Sequence, residues 1–178
     1  MNYFATPISS EQSFENYIKT VVKGIEQDDI KSFEYLTGSS DILFKRFKTK
    51  NNKLHLWGIK KDKYSRWNKV NTGDILFFYR KKNIVSWCRV LDKFEDTDIA
   101  TILWGTFESL HYPRYTWPLI ILLDNPNPCN IPFSKFNKIL GYQENYFLRS
   151  FFKLNDNLEN NITKTYGDFE KFVLSESE

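Results

Sequence analysis

Between residues 53 and 93, large aromatic side chains and cations are interleaved. Trp57, Tyr64, Trp67, Phe77, Phe78, Tyr79 and Trp87 stand among Lys60, Lys61, Lys63, Arg66, Arg80, Lys81 and Lys82. That mixture suits nucleic acid, because cations neutralise phosphates while flat rings stack on bases that have left a helix. The charge is also concentrated. Residues 42–93 hold fifteen Lys or Arg against three Asp or Glu, a balance of +12 that leaves −9 for the rest of a chain whose net charge is +3. The blander reading is a solvated basic face with the aromatics buried as core, and it competes at every one of these positions.

Residue sets for other chemistry are missing. His55 and His111 are the only histidines, and neither has a partner at metal-ligand spacing. No GxSxG, GxGxxG or GxxxxGK(S/T) occurs, so neither a nucleophile elbow nor a phosphate-cradling loop is on offer. Asp62, Asp74 and Asp92 do not form the carboxylate cluster that holds a nuclease magnesium. Cys88 and Cys129 lie far apart without a CxxC, so neither a disulfide set nor a zinc site is legible. The expectation is a binding module and not an enzyme, with no cofactor and no metal.

These residues need a scaffold to hold them. A length of 178 residues suits one domain with a small appendage, and 41% hydrophobic with 26% charged residues describes a globular chain. No apolar run approaches the ~18 residues of a membrane span. No basic and apolar leader is visible at the N-terminus, so a cytoplasmic location is expected. Phe14, Tyr17, Ile18, Val21, Val22 and Ile25 follow one helical stripe, which predicts a helix over 13–26 with Ser13 as its cap. A second short helix is predicted over 29–36. From Lys53 the texture changes to the short β-forming segments KLHLWGIK, DILFFYRK, NIVSWCRVL, TWPLIILL and FLRSFFKL. RKKN between the second and third predicts a hairpin with a basic tip. KDKYSRWNKV allows one or two helical turns. A helix beginning at Pro132 should end at Gly141, and one more helix should lead into the acidic end. The division expected is a helical appendage over 1–50, a base-reading domain over 53–154, and a C-terminal helix with acidic tail over 155–178.

Residues 73–90, GDILFFYRKKNIVSWCRV, carry a resemblance. Gly73-Asp74, Phe78-Tyr79 and the strand Ile84 to Val90 resemble the EVE domain of the PUA-like superfamily. Here Ser86 stands where that family has Gly. The later stretch LWGTFESLHYPRYTWPLIILLDNPNP is similar to the related YTH domains, whose aromatic cage holds a methylated adenine. The resemblance covers about residues 53–154. It implies an α+β, PUA-like small mixed β-barrel with flanking helices, and it puts Trp67 and Trp104 where cage tryptophans stand. The helical N-terminus is similar to the DNA-reading modules of McrBC-type methylation-dependent restriction systems. By that likeness the chain reads a modified base, methyladenine or methylcytosine, flipped from double-stranded DNA, with any motor domain or nuclease in a partner or another domain.

The residues expected to meet the base are Trp57, Trp67, Tyr79 and Trp104 as walls, with Ser86 and the backbone at Ile59 reading its edge. Trp57 and Tyr79 should lie near one open end. Lys60, Lys61, Lys63, Arg66, Arg80, Lys81 and Lys82 are the expected phosphate contacts, carried to one rim by two adjacent loops. Trp87 and Trp117, flanked by β-formers, are expected in the core, as is at least one of Phe77 and Phe78. The competing readings are an RNA-binding PUA-like reader, an ASCH-like hydrolase or nuclease, and a protein-interaction module.

Overall fold

The structure, a computed structural model, describes residues 1–26, 53–109 and 112–177. An eight-stranded mixed sheet dominates it. Its strands are β1 (Tyr3–Pro7), β2 (Ile25–Glu26), β3 (Lys53–Ile59), β4 (Ile75–Arg80), β5 (Asn83–Glu95), β8 (Leu119–Leu123), β9 (Asn127–Pro132) and β10 (Phe152–Lys153). The order is β10-β1-β4-β5-β8-β3-β2, with β9 paired to β5, and β6 (Phe107–Ser109) and β7 (Tyr112–Tyr115) form a separate hairpin. The helices are α1 (Glu11–Tyr17), α2 (Tyr64–Trp67), α3 (Thr97–Trp104), α4 (Phe133–Leu140), α5 (Leu158–Tyr166) and α6 (Phe169–Glu176). The α+β class expected from the sequence is the class found. Among the described residues no helix is long and apolar enough to cross a membrane.

Several local expectations need correction. The N-terminal stretch is not purely helical. β1 lies between β10 and β4, running parallel to β4 with Phe4 opposite Leu76 and Thr6 opposite Phe78. Tyr3, Phe4 and Ala5 are all buried, so the two-residue alternation that advertises a strand is absent there. The first helix starts at Glu11 and is capped by Ser10, whose hydroxyl accepts from the Ser13 N–H at 3.1 Å. It closes with a π-type turn, Ile18–Val22, and Gly24 at φ +70° then releases Ile25 into β2. Pro132 is the cap of α4 rather than its first residue. The tail folds as two helices because Gly167 adopts φ +90° and Asp168 caps a new start, accepting from the Lys171 N–H. Thr97–Trp104, for which no element was expected, is α3. The helix predicted over 29–36 and the cations of 45–50 lie outside the described residues.

The basic hairpin is formed as expected, with Lys81 and Lys82 at φ 48° and 70° in its two-residue turn. The thirteen residues of β5 span the bend of the sheet. Its first half pairs β4 and β9, and from Val90 on, with an irregularity at Val90–Asp92, its second half pairs β8. The curled sheet thereby has one inside and two outsides. Phe4, Trp57, Ile59, Leu76, Phe78, Cys88, Val90 and Ile121 fill the inside, together with Tyr17 and Val21 from α1 and its π-turn and Trp67 from α2. Ile75, Phe77 and Tyr79 face outwards into a second core under α4, α5 and α6. Leu54, Leu56 and Ile120 face a third core under α3. Phe77 and Phe78 are therefore both structural, one on each side of β4.

The Gly-Asp pair before β4 has a mechanical role. Gly73, at φ +90°, turns the chain and donates its N–H to Val90 O, while the buried Asp74 carboxylate accepts from Asn2 N at 2.7 Å, Asn2 Nδ2 at 3.2 Å and Asn71 N at 2.8 Å. This ties the N-terminus to the start of β4. Asp74→Ala leaves those donors unpaired, and chemical denaturation should show a loss of about 3 kcal/mol.

Candidate nucleic-acid interface

A pocket of about 330 Å³ opens at the edge of β3. Thr20 Oγ1 donates to Leu56 O at 2.7 Å, so the Leu56 carbonyl points away from β8. The two-residue period of a strand turns the Gly58 peptide the same way, and those of Trp57 and Ile59 towards β8. On the edge away from β8, β2 covers only Lys53 and Leu54, and among the described residues no other strand pairs with that edge. The peptide offered to the open edge is thus that of Gly58. Ile59 lines the pocket beside it.

Tryptophans stand on both faces of this edge. Trp57 lies on the inner side, meeting Phe78 edge-on at 5.3 Å. Trp104, the last residue of α3, lies on the outer side at right angles to Trp117. The apolar face of α3, Ile99, Ala100 and Leu103, anchors that helix on the sheet, and Asp96 caps its start by accepting from Ile99 N at 2.8 Å. A Cβ at Gly58 would come within 2.6 Å of both the Trp104 ring and the Trp117 Cβ. Glycine is needed there for close approach, since its φ is ordinary. The indole N–H groups of Trp57 and Trp104 are buried and have no hydrogen-bond partner among the described residues. Each carries a desolvation cost of about 1–3 kcal/mol that an entering acceptor could offset.

The opposite wall comes from elements whose part was not legible in the sequence. Ser13 and Asn16 reach the pocket from α1, Thr6 and Pro7 from β1, and Arg149, Ser150 and Phe151 from the segment before β10. Asn16 is 9% exposed and its amide engages no other described residue. Phe151 stacks on Phe4 at 5.5 Å, nearly parallel. Arg66 holds this wall by donating to Ser150 Oγ and Phe151 O, both at 3.0 Å. One signal was available: Ser13 and Asn16, three residues apart, form a polar strip beside the apolar stripe of α1. Nothing in FLRSFFKL singles out Arg149.

The sequence-derived candidates divide among several places. Trp57, Ile59, Trp104, Lys60 and Lys63 meet at the pocket, and so does Trp117, which was expected in the core. Lys60 also lies over the Tyr115 ring at 4.3 Å, and Lys63 pairs with Asp62 at 2.6 Å. Trp67 sits in the inner core, with its indole N–H 3.4 Å from Ile120 O and Lys93 Nζ 4.9 Å from its ring. Burial lowers the pKa of Lys93, which donates to the carbonyls of Trp67 and Asn68. Ser86 is buried against the Tyr17 hydroxyl at 2.7 Å, where burial raises the tyrosine pKa and this hydrogen bond opposes the rise. Tyr79 is not brought to Trp57. It packs edge-on against Phe133 at 4.9 Å in the outer core, because odd and even positions of β4 face opposite ways. Trp87 meets Phe169 edge-on in the same core, as expected. Lys61 pairs with Glu95, while Arg80, Lys81 and Lys82 border a separate groove, so the cations do not share one rim. Among the described residues no cluster of His, Cys, Asp or Glu could hold a metal ion.

No family model matches the chain, and no curated protein does. Solved structures do. The N-terminal domain of Thermococcus gammatolerans McrB, in a structure bound to m5C DNA, superposes with a TM-score of 0.64 at 16% identity, over 92% of this chain and 96% of that one. The two chains share one fold. That shared fold is of the α+β class expected from the sequence. The Mmi1 YTH domain gives a TM-score of 0.48 at 11% identity over 92% of this chain and 86% of that one.

Gly58 tests whether the pocket is shaped by that one close approach. Gly58→Ala must displace Trp104 or Trp117, at about 1–3 kcal/mol. The expected outcome is a stable but less stable protein whose tryptophan emission and near-ultraviolet dichroism differ from the parent's.

Proposed function

We propose that the chain is a DNA-binding module that recognises a methylated base, 5-methylcytosine or N6-methyladenine, flipped from the duplex into the Trp57–Trp104 pocket. It would supply the specificity of a methylation-dependent restriction system, with the motor or nuclease on a partner. On this reading it acts in the cytoplasm and its chemistry is binding alone. The observation that supports it most is the pocket itself, with indole rings on both faces of an open strand edge and Lys60, Lys63 and Arg149 beside it. It sits on a fold shared with a domain that has been seen on m5C DNA.

The energetics indicate what each part has to contribute. Extracting a base costs a few kcal/mol of pairing and stacking. Stacking on an aromatic side chain returns about 1–3 kcal/mol, and phosphate contacts supply the remainder in a salt-sensitive way. The methyl group itself contributes about 1 kcal/mol through burial, roughly a fivefold preference. Base identity needs polar contacts. The Asn16 amide offers a donor beside an acceptor, which matches the amino group and ring nitrogen of cytosine or adenine. The Gly58 peptide offers a second such pair.

The test is an anisotropy titration with duplexes carrying 5-methylcytosine, N6-methyladenine or no modification, with matched RNA. One methylated duplex should bind about fivefold tighter than the unmodified one. Asn16→Ala should cost about 1–3 kcal/mol of that binding with little change in melting temperature. Trp104→Ala should lose affinity and also about 3 kcal/mol of stability, because its ring fills space against Gly58. Equal affinity for all duplexes would sink the modified-base reading, and a preference for RNA would redirect it.

A further inference from the structure

A second concavity, a groove of about 1200 Å³, lies between the basic hairpin tip and the segment that precedes β10. Arg80, Lys81 and Lys82 border it on one side, and among the described residues no carboxylate pairs with any of them. The Arg80 guanidinium lies 3.5 Å over the Phe14 ring, and its Nε is buried with no hydrogen-bond partner among the described residues. On the other side stand Tyr146 and Phe147, 41% and 52% exposed. These two are among the few large apolar side chains of the described residues left in solvent, and they stand in a fixed place. Asn137, buried in α4, donates its amide to Glu144 O and Tyr146 O, both at 2.9 Å, which clamps the loop that carries them. Glu144 is the acidic residue lining the groove.

The groove and the base pocket have a wall in common. Tyr146, Phe147 and Leu148 face the groove, while Arg149, Ser150 and Phe151 face the pocket. The Arg149 guanidinium lies 4.9 Å from the Phe147 ring and so joins the two. Three cations without a carboxylate partner among the described residues, opposite two presented rings, repeat at larger scale the chemistry of a single-strand path: charge for the backbone and faces for unstacked bases.

We infer that this groove is a second nucleic-acid contact, which seats the phosphates and an unstacked nucleotide of the strand flanking the captured base, with Tyr146 and Phe147 as its stacking faces. The inference rests on the proposed reading as a nucleic-acid binder and adds a site that does not sense the methyl group. Loss of the groove should weaken all DNAs alike. Loss of the pocket should instead remove the preference for methylated DNA.

Two variants test it on the whole chain. Tyr146→Ala with Phe147→Ala removes both faces at exposed positions. Lys81→Asn with Lys82→Gly removes two charges and installs a turn pair suited to positive φ. Each is titrated against methylated and unmodified duplexes with long flanks and against an unmodified six-nucleotide single strand, over a range of salt. The aromatic variant should bind the single strand and both duplexes about five- to thirtyfold more weakly, with the ratio of methylated to unmodified affinity unchanged. The lysine variant should flatten the log–log salt dependence by about 2, since each phosphate contact contributes ~0.9. Parental affinity of the aromatic variant for all three DNAs overturns the inference, as does a parent that ignores oligonucleotides but binds a glutamate-rich peptide. A parent that holds the single strand through Tyr146 and Phe147 yet shows no methyl preference upholds the groove and overturns the modified-base reading.

Discussion

β5 must satisfy two different neighbours along one of its edges, and the rest of the architecture follows from how it does so. Over Asn83–Trp87 that edge pairs β9, and from Val90 on, with an irregularity at Val90–Asp92, it pairs β8. The opposite edge carries β4, which brings β1 and β10 with it. A strand that changes partners part-way has to bend, and the added residue at such a point increases its twist. The bend draws β3 round until Trp57 on its inner face meets Phe78 of β4, with Ile59 in the same core. The tie of Asp124 to the same place is consistent with a pinned bend. Its carboxylate accepts from Arg89 N at 2.6 Å, although burial raises its pKa and makes the charged form costly there.

The bend also determines where an opening can exist. β3 is paired along β8, but β2 ends after two residues and leaves Gly58 on a bare edge. An unpaired edge is ordinarily a liability for association with other strands. Here α1, the Arg149–Phe151 segment and Trp104 surround it, so the exposed peptide lies at the bottom of a recess. The recess requires the strand edge, the glycine and the tryptophans together. Filling any one of them with an ordinary residue or a neighbouring strand would close it.

The sequence made the sheet legible wherever its strands face two different environments. β3, β4 and β5 alternate between inner and outer cores through apolar residues of different sizes, and their bounds fall close to expectation. β1 was illegible because both of its faces are buried, and α3 because Thr97, Asp98 and Thr101 gave a short helix a polar look. Candidate walls read from residue type alone fared unevenly for the same geometric reason. Trp57 and Trp104 lie next to the bare edge, whereas Trp67 fills the inner core and Tyr79, on an odd position of β4, faces the outer one. Asn16 and Arg149 come to the pocket only through contacts distant in sequence, and no local pattern encodes those.

On the proposed reading, a pocket that distinguishes so small a mark has to be stiff. If about 1 kcal/mol separates a methylated base from a plain one, a wall that can shift by a few tenths of an ångström at similar cost would erase the difference. The tethers around this pocket are of the kind that prevents such shifts. Arg66 fixes the backbone at Phe151 with a second bond to Ser150, Phe151 is stacked on Phe4, and the Trp104 ring rests on a position that admits no Cβ. Arg66 and Phe4 stiffen the wall without lining the pocket themselves. On the same reading, affinity for the strand would come from looser, salt-sensitive contacts, because those act equally on marked and unmarked DNA and leave the comparison to the tethered pocket.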